Sequence, residues 1–432
     1  MTNQPGLRPT LGLFSSTMLA LSIVIGAGML VLPGLVYRTV GPGAFWSWLG
    51  DALLVIPLLW VFIRLGRLYP SAGGVSGFVG AVWPRARKGV ATILLGTFAL
   101  GIPAIALTGS NYLLAGAGWP SATPWSELVA LLLMGAATAV VWLGAALASR
   151  WQNLVLAALL AVLLSATLAT APDWGSARLV LGPDRIPAVW RGMALAFFSY
   201  TGWEMFASIA EDMKDPRRDF PRAVLISFVL ITIIYLSAAL AVETTVALDN
   251  PYLVKAPFLP VVLHLVGDQG LARRLLGGIV AIIIFSNLVG AIWAASRIVF
   301  DLGRTTALGT RLNLGAVHQE SSSPRRAVTV AFLAFAAILA SHGAGLLSVS
   351  RMLWLAGQNF IVLYAVCVLV FFRMAQRRRE RVVALLSLGL MAVLGSAFNL
   401  GLIYPCALFS LPYLLLPLGS RKGAGRLDRV PP

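Results

Sequence analysis

An apolar segment at positions 11–36 is long enough to cross a bilayer, and Gly26-Ala27-Gly28 sits in its middle. A helix inside hydrocarbon must keep its backbone polar groups bonded internally. A sequence that lets it unwind there is tolerated only where the freed backbone lines a protein cavity or binds something. A second interruption, Ser199-Tyr200-Thr201-Gly202, divides the apolar segment at 188–210. The chain therefore has to fold so that two broken helices, one in each half, are both shielded from lipid.

The rest of the chain is of the same kind. Of 432 residues, 59% are hydrophobic and only 11% charged, against roughly 25% charged in soluble domains. The mean hydropathy is +0.86. Allowing about 20 residues per span, about twelve transmembrane helices are predicted. They lie near 11–36, 43–63, 89–115, 125–147, 153–171, 188–210, 222–242, 275–300, 327–347, 350–372, 382–399 and 401–418. The fold class expected is all-α integral membrane, with no soluble domain. The longest connections are 172–187, 243–274 and 303–326. The second is expected to hold a short surface helix between its prolines, and Ser321-Ser322-Ser323-Pro324 marks the third as a loop.

The net charge of +17 would suit nucleic acid, but its distribution argues against that partner. With twelve spans and the N-terminus inside, Lys and Arg favour the inner loops by roughly three to one, which is the positive-inside pattern. Both termini are then cytoplasmic, and the basic loops meet anionic membrane lipid. Cys367 and Cys406 fall within spans as packing residues. Positions 1–25 lack the features of a cleaved signal, because the apolar run is too long for an h-region.

Span 1 starts inside and span 6 starts outside, so the two breaks sit in oppositely oriented five-span units. That is the pattern of an inverted repeat, and discontinuous helices at matching positions mark the substrate site of a secondary transporter. The units would be 11–171 and 188–372 within one 1–432 transmembrane domain, with two accessory helices at 382–418. At the first break, the amides of Gly26, Ala27 and Gly28 lie at the positive end of a helix and suit a carboxylate. Freed carbonyls, Val24 first among them, suit an ammonium group. The alternative is that these glycines serve close helix packing. At the second break, the carbonyls of Phe198, Ser199 and Thr201 are exposed, and Phe198, Tyr200 and Trp203 supply aromatic surface for closing over a ligand or for packing. Glu204, an acid at membrane depth, is a candidate for gating or proton coupling, or a carboxyl that holds the unwound segment.

Asp51 is better placed for helix packing or an interface. Glu211, Asp212, Asp215 and Asp219 stand among Lys214, Arg217 and Arg218 and suggest a salt-bridged loop that could gate. Ser286, Asn287, Ser296 and Arg297 on span 8 either bond neighbouring helices or face the cavity. The three histidines are scattered over loops and loop ends. No HExxH, CxxC or GxSxG stands on a span, so an enzyme is not expected, and neither a cofactor nor a metal is called for.

These motifs resemble the amino acid–polyamine–organocation (APC) superfamily of transporters over nearly the whole chain. Gly26-Ala27-Gly28-Met29-Leu30-Val31-Leu32-Pro33 is similar to the family's first-helix G-S/A-G-I-F-x-x-P stretch. Phe197 to Glu204 resembles F-W/F-S/A-F-x-G-x-E in the sixth helix, and Glu211 to Ala223 the E-x-K-N-P-x-R-x-x-P-x-A loop after it. Tyr69-Pro70-Ser71-Ala72-Gly73-Gly74 fits the P-x-x-G-G loop, and Ala295-Ser296-Arg297 the eighth helix. The resemblance implies a five-plus-five inverted repeat, the LeuT-like fold, with discontinuous helices 1 and 6. It implies that a substrate carboxylate meets Ala27 and Gly28 and its ammonium meets the carbonyls of Val24, Phe198 and Thr201. It also implies a gating or proton-coupling role for Glu204.

Short loop motifs are most similar to the bacterial exporter branch for methionine and branched-chain amino acids, in the inner membrane. Many proton-coupled members carry a lysine in the fifth helix, yet Leu154–Ala171 contains no Lys or Arg, which puts lysine-based coupling in doubt. The expectation is a secondary active transporter of neutral apolar L-amino acids (methionine, leucine, isoleucine, valine), an exporter by alternating access, acting as monomer or homodimer. The alternative is a proton-coupled importer or an exchanger of the same family.

Overall fold

A computed structural model of the chain describes residues 9–117, 119, 124–144, 161, 164, 165, 167–177, 181–254, 256–395 and 403–415. The described regular structure is helical apart from one isolated bridge, between Leu11 and Met213. The first apolar segment is broken into α1 (Leu13–Val24) and α2 (Ala27–Val40), bent by 48°. The break falls at Ile25–Gly26, one residue ahead of its expected centre. Ile25 still donates to the Leu21 carbonyl at 2.8 Å, then Gly26 turns extended (φ −122°, ψ −152°). Ala27 and Gly28 already belong to the second half-helix.

Five helices follow: α3 (Phe45–Leu68), the short α4 (Val75–Val82), α5 (Arg87–Gly116), α6 (Trp125–Leu143) and α7 (Ile186–Ala196). The second broken segment continues from α7 through a 3-10 turn, Phe197–Tyr200, to α8 (Trp203–Ala207). Thr201 is extended, and Gly202 has φ +122°, a conformation that L side chains rarely adopt. Then come α9 (Pro216–Thr245), α10 (Phe258–Val266), α11 (Gln269–Thr305), α12 (Ala307–Arg311), α13 (Arg325–Gly343), α14 (Val349–Met374), α15 (Arg378–Gly395) and α16 (Ile403–Leu415). Within 243–274 a helix does occur, α10, but it starts after Pro257, takes in Pro260 and runs to Val266 instead of lying between the prolines.

The count of twelve spans is not reached. Among the described residues seven helices are long and apolar enough to cross a membrane, eight with the bent α1–α2 pair. The reasons are physical. The sixth expected span is cut by its own break into pieces of 11 and 5 residues. The last two fall short because α15 opens on Arg378-Arg379-Glu380-Arg381 and α16 has 13 residues. The expected span at 153–171 lies mostly outside the described residues.

The core is built around α5 and α11, which pack along each other, with α1 held between α9 and α11. Small residues let backbones approach, as in other membrane bundles: a Cβ at Gly109 of α5 would collide with Ile284 of α11. Buried residues line α1 from Ser16 to Val24 without interruption, so the part of this half-helix that leads to the break is surrounded by protein. Backbone freed at its end is therefore kept out of lipid, as the first constraint required.

Candidate functional site

The two breaks meet. A Cβ on Gly28 would sit 3.1 Å from the Ser199 hydroxyl and 3.6 Å from the Phe198 ring. A Cβ on Gly202 would sit 3.1 Å from a Val24 methyl and 3.3 Å from one of Ile23. The glycines at both breaks are thus the residues through which the segments touch. The residues expected at the site are gathered in one place, with Gly28 and Phe198 half-buried and Val24, Ser199, Tyr200, Thr201, Trp203 and Glu204 buried.

At the first break the carbonyl end of α1 is met by side chains from distant helices. Asn287 of α11 donates from Nδ2 to the carbonyls of Ser22 (2.8 Å) and Ile23 (2.9 Å). The Tyr235 hydroxyl of α9 lies 3.2 Å from the Val24 carbonyl and 3.0 Å from that of Ser199, so it bridges the two breaks. On the amide side, Met29 N–H bonds back to Gly26 at 3.2 Å, while Ala27 and Gly28 make no backbone hydrogen bond across the break among the described residues. As the opening residues of α2 they are the unsatisfied donors that every helix start presents, at the positive end of its dipole. The buried Ser199 hydroxyl has no partner among the described residues.

The second break is satisfied locally. Thr201 donates from its hydroxyl (2.8 Å) and amide (3.3 Å) to the Phe198 carbonyl, and Trp203 Nε1 donates to that of Tyr200 (2.8 Å). Glu204 is fully buried, and its Oε2 accepts from the Gly202 amide (3.0 Å) and the Tyr364 hydroxyl (2.8 Å). Its Oε1 has no partner among the described residues. Of the three aromatics, only Phe198 stands at the half-buried rim, edge-on to Phe360 at 5.9 Å. Tyr200 packs against Trp48, Phe228 and Tyr235, and Trp203 is 1% exposed.

Beginning one turn past Gly28 at Val31 lies a cavity of about 650 Å³ between α2, α5, the 252–259 segment and the start of α11. Asn111, Tyr112 and Arg273 are among its polar lining. At the other end of the bundle the chain is tied shut. Thr10 and Leu11 N–H both bond the Asp212 carbonyl (2.9 and 3.0 Å), and Lys214 N–H bonds Leu11 (2.9 Å). Asp212 forms a buried bidentate pair with Arg297 of α11 (2.7 and 2.8 Å), joined by Trp293 Nε1 at 3.2 Å. Glu211 pairs with Arg304 through both oxygens at 2.8 Å and accepts from the Ala72 amide at 2.8 Å. Burial pushes the Glu211 carboxyl up, but the hydrogen bond and charge of Arg304 outweigh it, and the group sits below the ordinary glutamate range. Arg87 holds Asp301 at 2.8 and 2.9 Å.

This corrects the pairing expected within the 211–219 loop: its acids reach Arg297 and Arg304 on α11 rather than Lys214, Arg217 and Arg218, and Asp215 caps α9 at the Arg218 amide. Lys214, Arg217 and Arg218 are exposed, whereas Asp212 is buried against α11. Asp51 is 2% exposed, a buried residue of α3. Sequence reasoning misses Tyr235 and Tyr364, since a tyrosine in an apolar span carries no local sign of its partner.

The amino acid permease family matches the chain over residues 11–415. The L-methionine/branched-chain amino acid exporter YjeH of Escherichia coli (strain K12) is 27% identical over 395 residues, covering 90% of this chain and 91% of that one. The branched-chain amino acid permease BcaP of Bacillus subtilis (strain 168) is 24% identical over 260 residues, 55% of each chain. The crystal structure of MhsT in complex with L-phenylalanine superposes with a TM-score of 0.64 at 13% identity, covering 91% of this chain and 98% of that one. That likeness shows a LeuT-like transporter fold.

Proposed function

This chain belongs to the amino acid permease family, a transporter and not an enzyme, and on that premise we propose that it carries neutral apolar L-amino acids across the membrane by alternating access. The observation that carries the reading is the meeting of the two breaks, with amides at Ala27 and Gly28 that bond nothing across the break among the described residues on one side and the carbonyls of Val24 and Ser199 on the other. An amino acid presents an anion and a cation on neighbouring atoms, and helix ends of opposite polarity bind both without a charged side chain. Tyr235 has one hydroxyl proton for two carbonyls, so acceptor capacity remains for an ammonium group. Gly26, Ala27 and Gly28 would hold the carboxylate; Val24, Phe198, Ser199 and Thr201 the ammonium. Phe198, Tyr200 and Trp203 would form the apolar wall, with Phe198 at the mouth. Glu204 is the candidate for gating or proton coupling.

Methionine, leucine, isoleucine and valine are the proposed substrates, moved outward. The exporter named among the relatives supports this, as does the absence of charged side chains at the breaks other than Glu204. The proposed topology is twelve spans in two inverted five-span units plus two accessory helices, in the bacterial inner membrane. The distribution of Lys and Arg supports cytoplasmic termini. The tied end would then face the cytoplasm, and the 650 Å³ cavity would be the outer vestibule. The test is counterflow in proteoliposomes loaded with methionine, leucine, lysine or glutamate, with labelled methionine outside. Uptake with methionine and leucine alone is expected. Uptake only under an imposed proton gradient would favour the importer reading with Glu204 as its carrier, and no counterflow with any of the four would refute the substrate class.

A further inference from the structure

Among the buried acids of the described residues, one has nothing to balance it. Asp212 pairs with Arg297, Asp301 with Arg87 and Glu380 with Arg64. Glu243 accepts from the amides of Gly43 (2.6 Å) and Phe45 (3.2 Å), and Glu204 from Gly202 and Tyr364. Asp51, in the second turn of α3, is 2% exposed, makes no ion pair among the described residues and has no partner there at Oδ2. Other buried polar atoms without partners among the described residues gather beside it. Trp48 Nε1 belongs to the residue one turn back on the same face of α3. The Tyr200 hydroxyl, in the second break, is near enough for the two groups to act on each other electrostatically. The Thr232 hydroxyl of α9 lies beside that of Tyr200 without a bond of ordinary geometry. A carboxylate kept from water with no counter-charge is so costly that the group takes a proton instead, and an acid at membrane depth marks a functional site. From this cluster we infer that Asp51 is a proton site. It holds a proton while α3 is packed against α9 and the second break, and gives it to water when that packing opens, once in each transport cycle.

The cover over Asp51 is made partly of the residues that shape the breaks. The Trp48 ring stands 5.4 Å from that of Tyr235 and 6.5 Å from that of Tyr200, and the two tyrosine rings stand 5.2 Å apart. Tyr235 is also the residue whose hydroxyl touches both breaks. A change of shape at either break therefore shifts the wall that seals the carboxyl. The helices packed on α3 bring no cation to pair with it. From α9 come Tyr235 and Glu243, while Arg217, Arg218, Asp219 and Arg222 stand at the opposite end of that helix. From α7 comes Arg191, which is exposed, from α8 Glu204, and from α14 Tyr364 and Cys367, with Arg351 and Arg373 at the ends of α14. Arg378, Arg379, Glu380 and Arg381 of α15 start that helix at the far end of α3, where Arg64 and Arg67 stand and Glu380 holds Arg64. The proton leaves Oδ2 for water and returns from water, so the step needs no other reactant.

The inference rests on the transport reading for its flux arm only, and an infrared arm does not need it. Full-chain protein in lipid nanodiscs at neutral pH is measured for the infrared carbonyl band of a protonated carboxyl. The native protein should show the band, and Asp51→Asn should lose it. For the flux arm, proteoliposomes are loaded with methionine and a pH-sensitive dye. Methionine efflux through the native protein should carry a change of lumenal pH. Asparagine has the shape of the protonated acid but cannot release a proton. Asp51→Asn should therefore keep methionine–methionine exchange near the native rate while the lumenal pH change is lost.

A carboxyl band that Asp51→Asn leaves unchanged overturns the inference. So does native efflux that moves no protons, or an Asp51→Asn protein whose efflux still moves them. Loss of exchange as complete as the loss of proton movement would also overturn it, because that is what a purely structural carboxyl predicts. If Asp51→Asn yields no folded protein, Tyr200→Phe carries the infrared arm by removing the hydroxyl nearest in charge to Asp51. A shifted band in that variant supports the inference, and a band left in place overturns it. No methionine flux through the native protein, together with a band that Asp51→Asn removes, would refute transport of this amino acid while upholding the proton on Asp51.

Discussion

The two breaks are built in opposite ways. At the second, three of the described side-chain bonds close within a few residues, Thr201 onto Phe198, Trp203 onto Tyr200 and Glu204 onto Gly202, and two come from farther away, Tyr364 to Glu204 and Tyr235 to Ser199. At the first, the donors come from 211 to 265 positions away, Tyr235 and Asn287. The local turn carries its own geometry wherever α7 and α8 go. The borrowed one exists only while α1, α9 and α11 stay together. The difference makes the first break the one whose described side-chain bonds depend on the packing of the bundle, and the proposed ligand site uses the amides of Ala27 and Gly28 there.

The largest expected effect separates these roles at a single carbon. Gly28→Val puts branched carbons where Ser199 already stands 3.1 Å from a Cβ. It should weaken binding of labelled methionine by about a hundredfold, the scale of two lost hydrogen bonds to a charged group, while the melting curve changes little. Normal binding in that variant would remove the amide cradle. Next is Tyr235→Phe, which deletes the described hydroxyl that touches both breaks. About tenfold slower counterflow is expected, and unchanged counterflow would mean that the breaks are coupled by packing alone.

Smaller again is Tyr364→Phe, which removes the distant contribution to Glu204 at the second break. It leaves Glu204 Oε2 with the Gly202 amide alone and should cost about 1–3 kcal/mol of stability, read from chemical denaturation. A loss near zero would mean that the local bonds hold Glu204 without Tyr364. Glu204→Gln should alter the pH profile of flux, and an unaltered profile would return the residue to holding the turn. The smallest effect concerns the tied end. The Glu211 carboxyl sits below its ordinary value, so its link to Arg304 is whole above about pH 4.3 and is lost only as pH falls through the lowered value. A cysteine-reactive probe placed at Ala72 should gain access in acid and not near neutrality; access that rises near neutrality would contradict that sign.

Much of this arrangement was legible in the chain. Gly26-Ala27-Gly28 and Ser199 to Gly202 announce breaks because glycine and small polar residues weaken a helix while adding little apolar surface to hold it in a bundle. Both breaks stand within a residue or two of their expected places. The helix at 258–266 was legible only in part: it starts after Pro257, as a proline can begin a helix, but it takes Pro260 into its first turn and runs past the prolines. What the chain hides is who satisfies the freed groups. Asn287, Tyr235 and Tyr364 each sit in an apolar helix with no local partner, and their meaning arises from approach in space. Asp212 looks like one acid of a charged loop until α11 brings Arg297 beside it. Among the described residues the count of spans marked by length and apolarity falls short of twelve for a related reason. The break that makes the sixth segment informative also shortens its pieces below the length that marks a span.

The central claim is that the paired breaks recognise the carboxylate and the ammonium of one amino acid. Competition for labelled methionine on the purified full-length protein tests it directly, with unlabelled methionine, its methyl ester and its N-acetyl derivative as competitors. Methionine should displace the label, and the ester and the acetylated form, each lacking one charge, should both fail. An ester or N-acetyl compound that competes as well as methionine itself would contradict the claim.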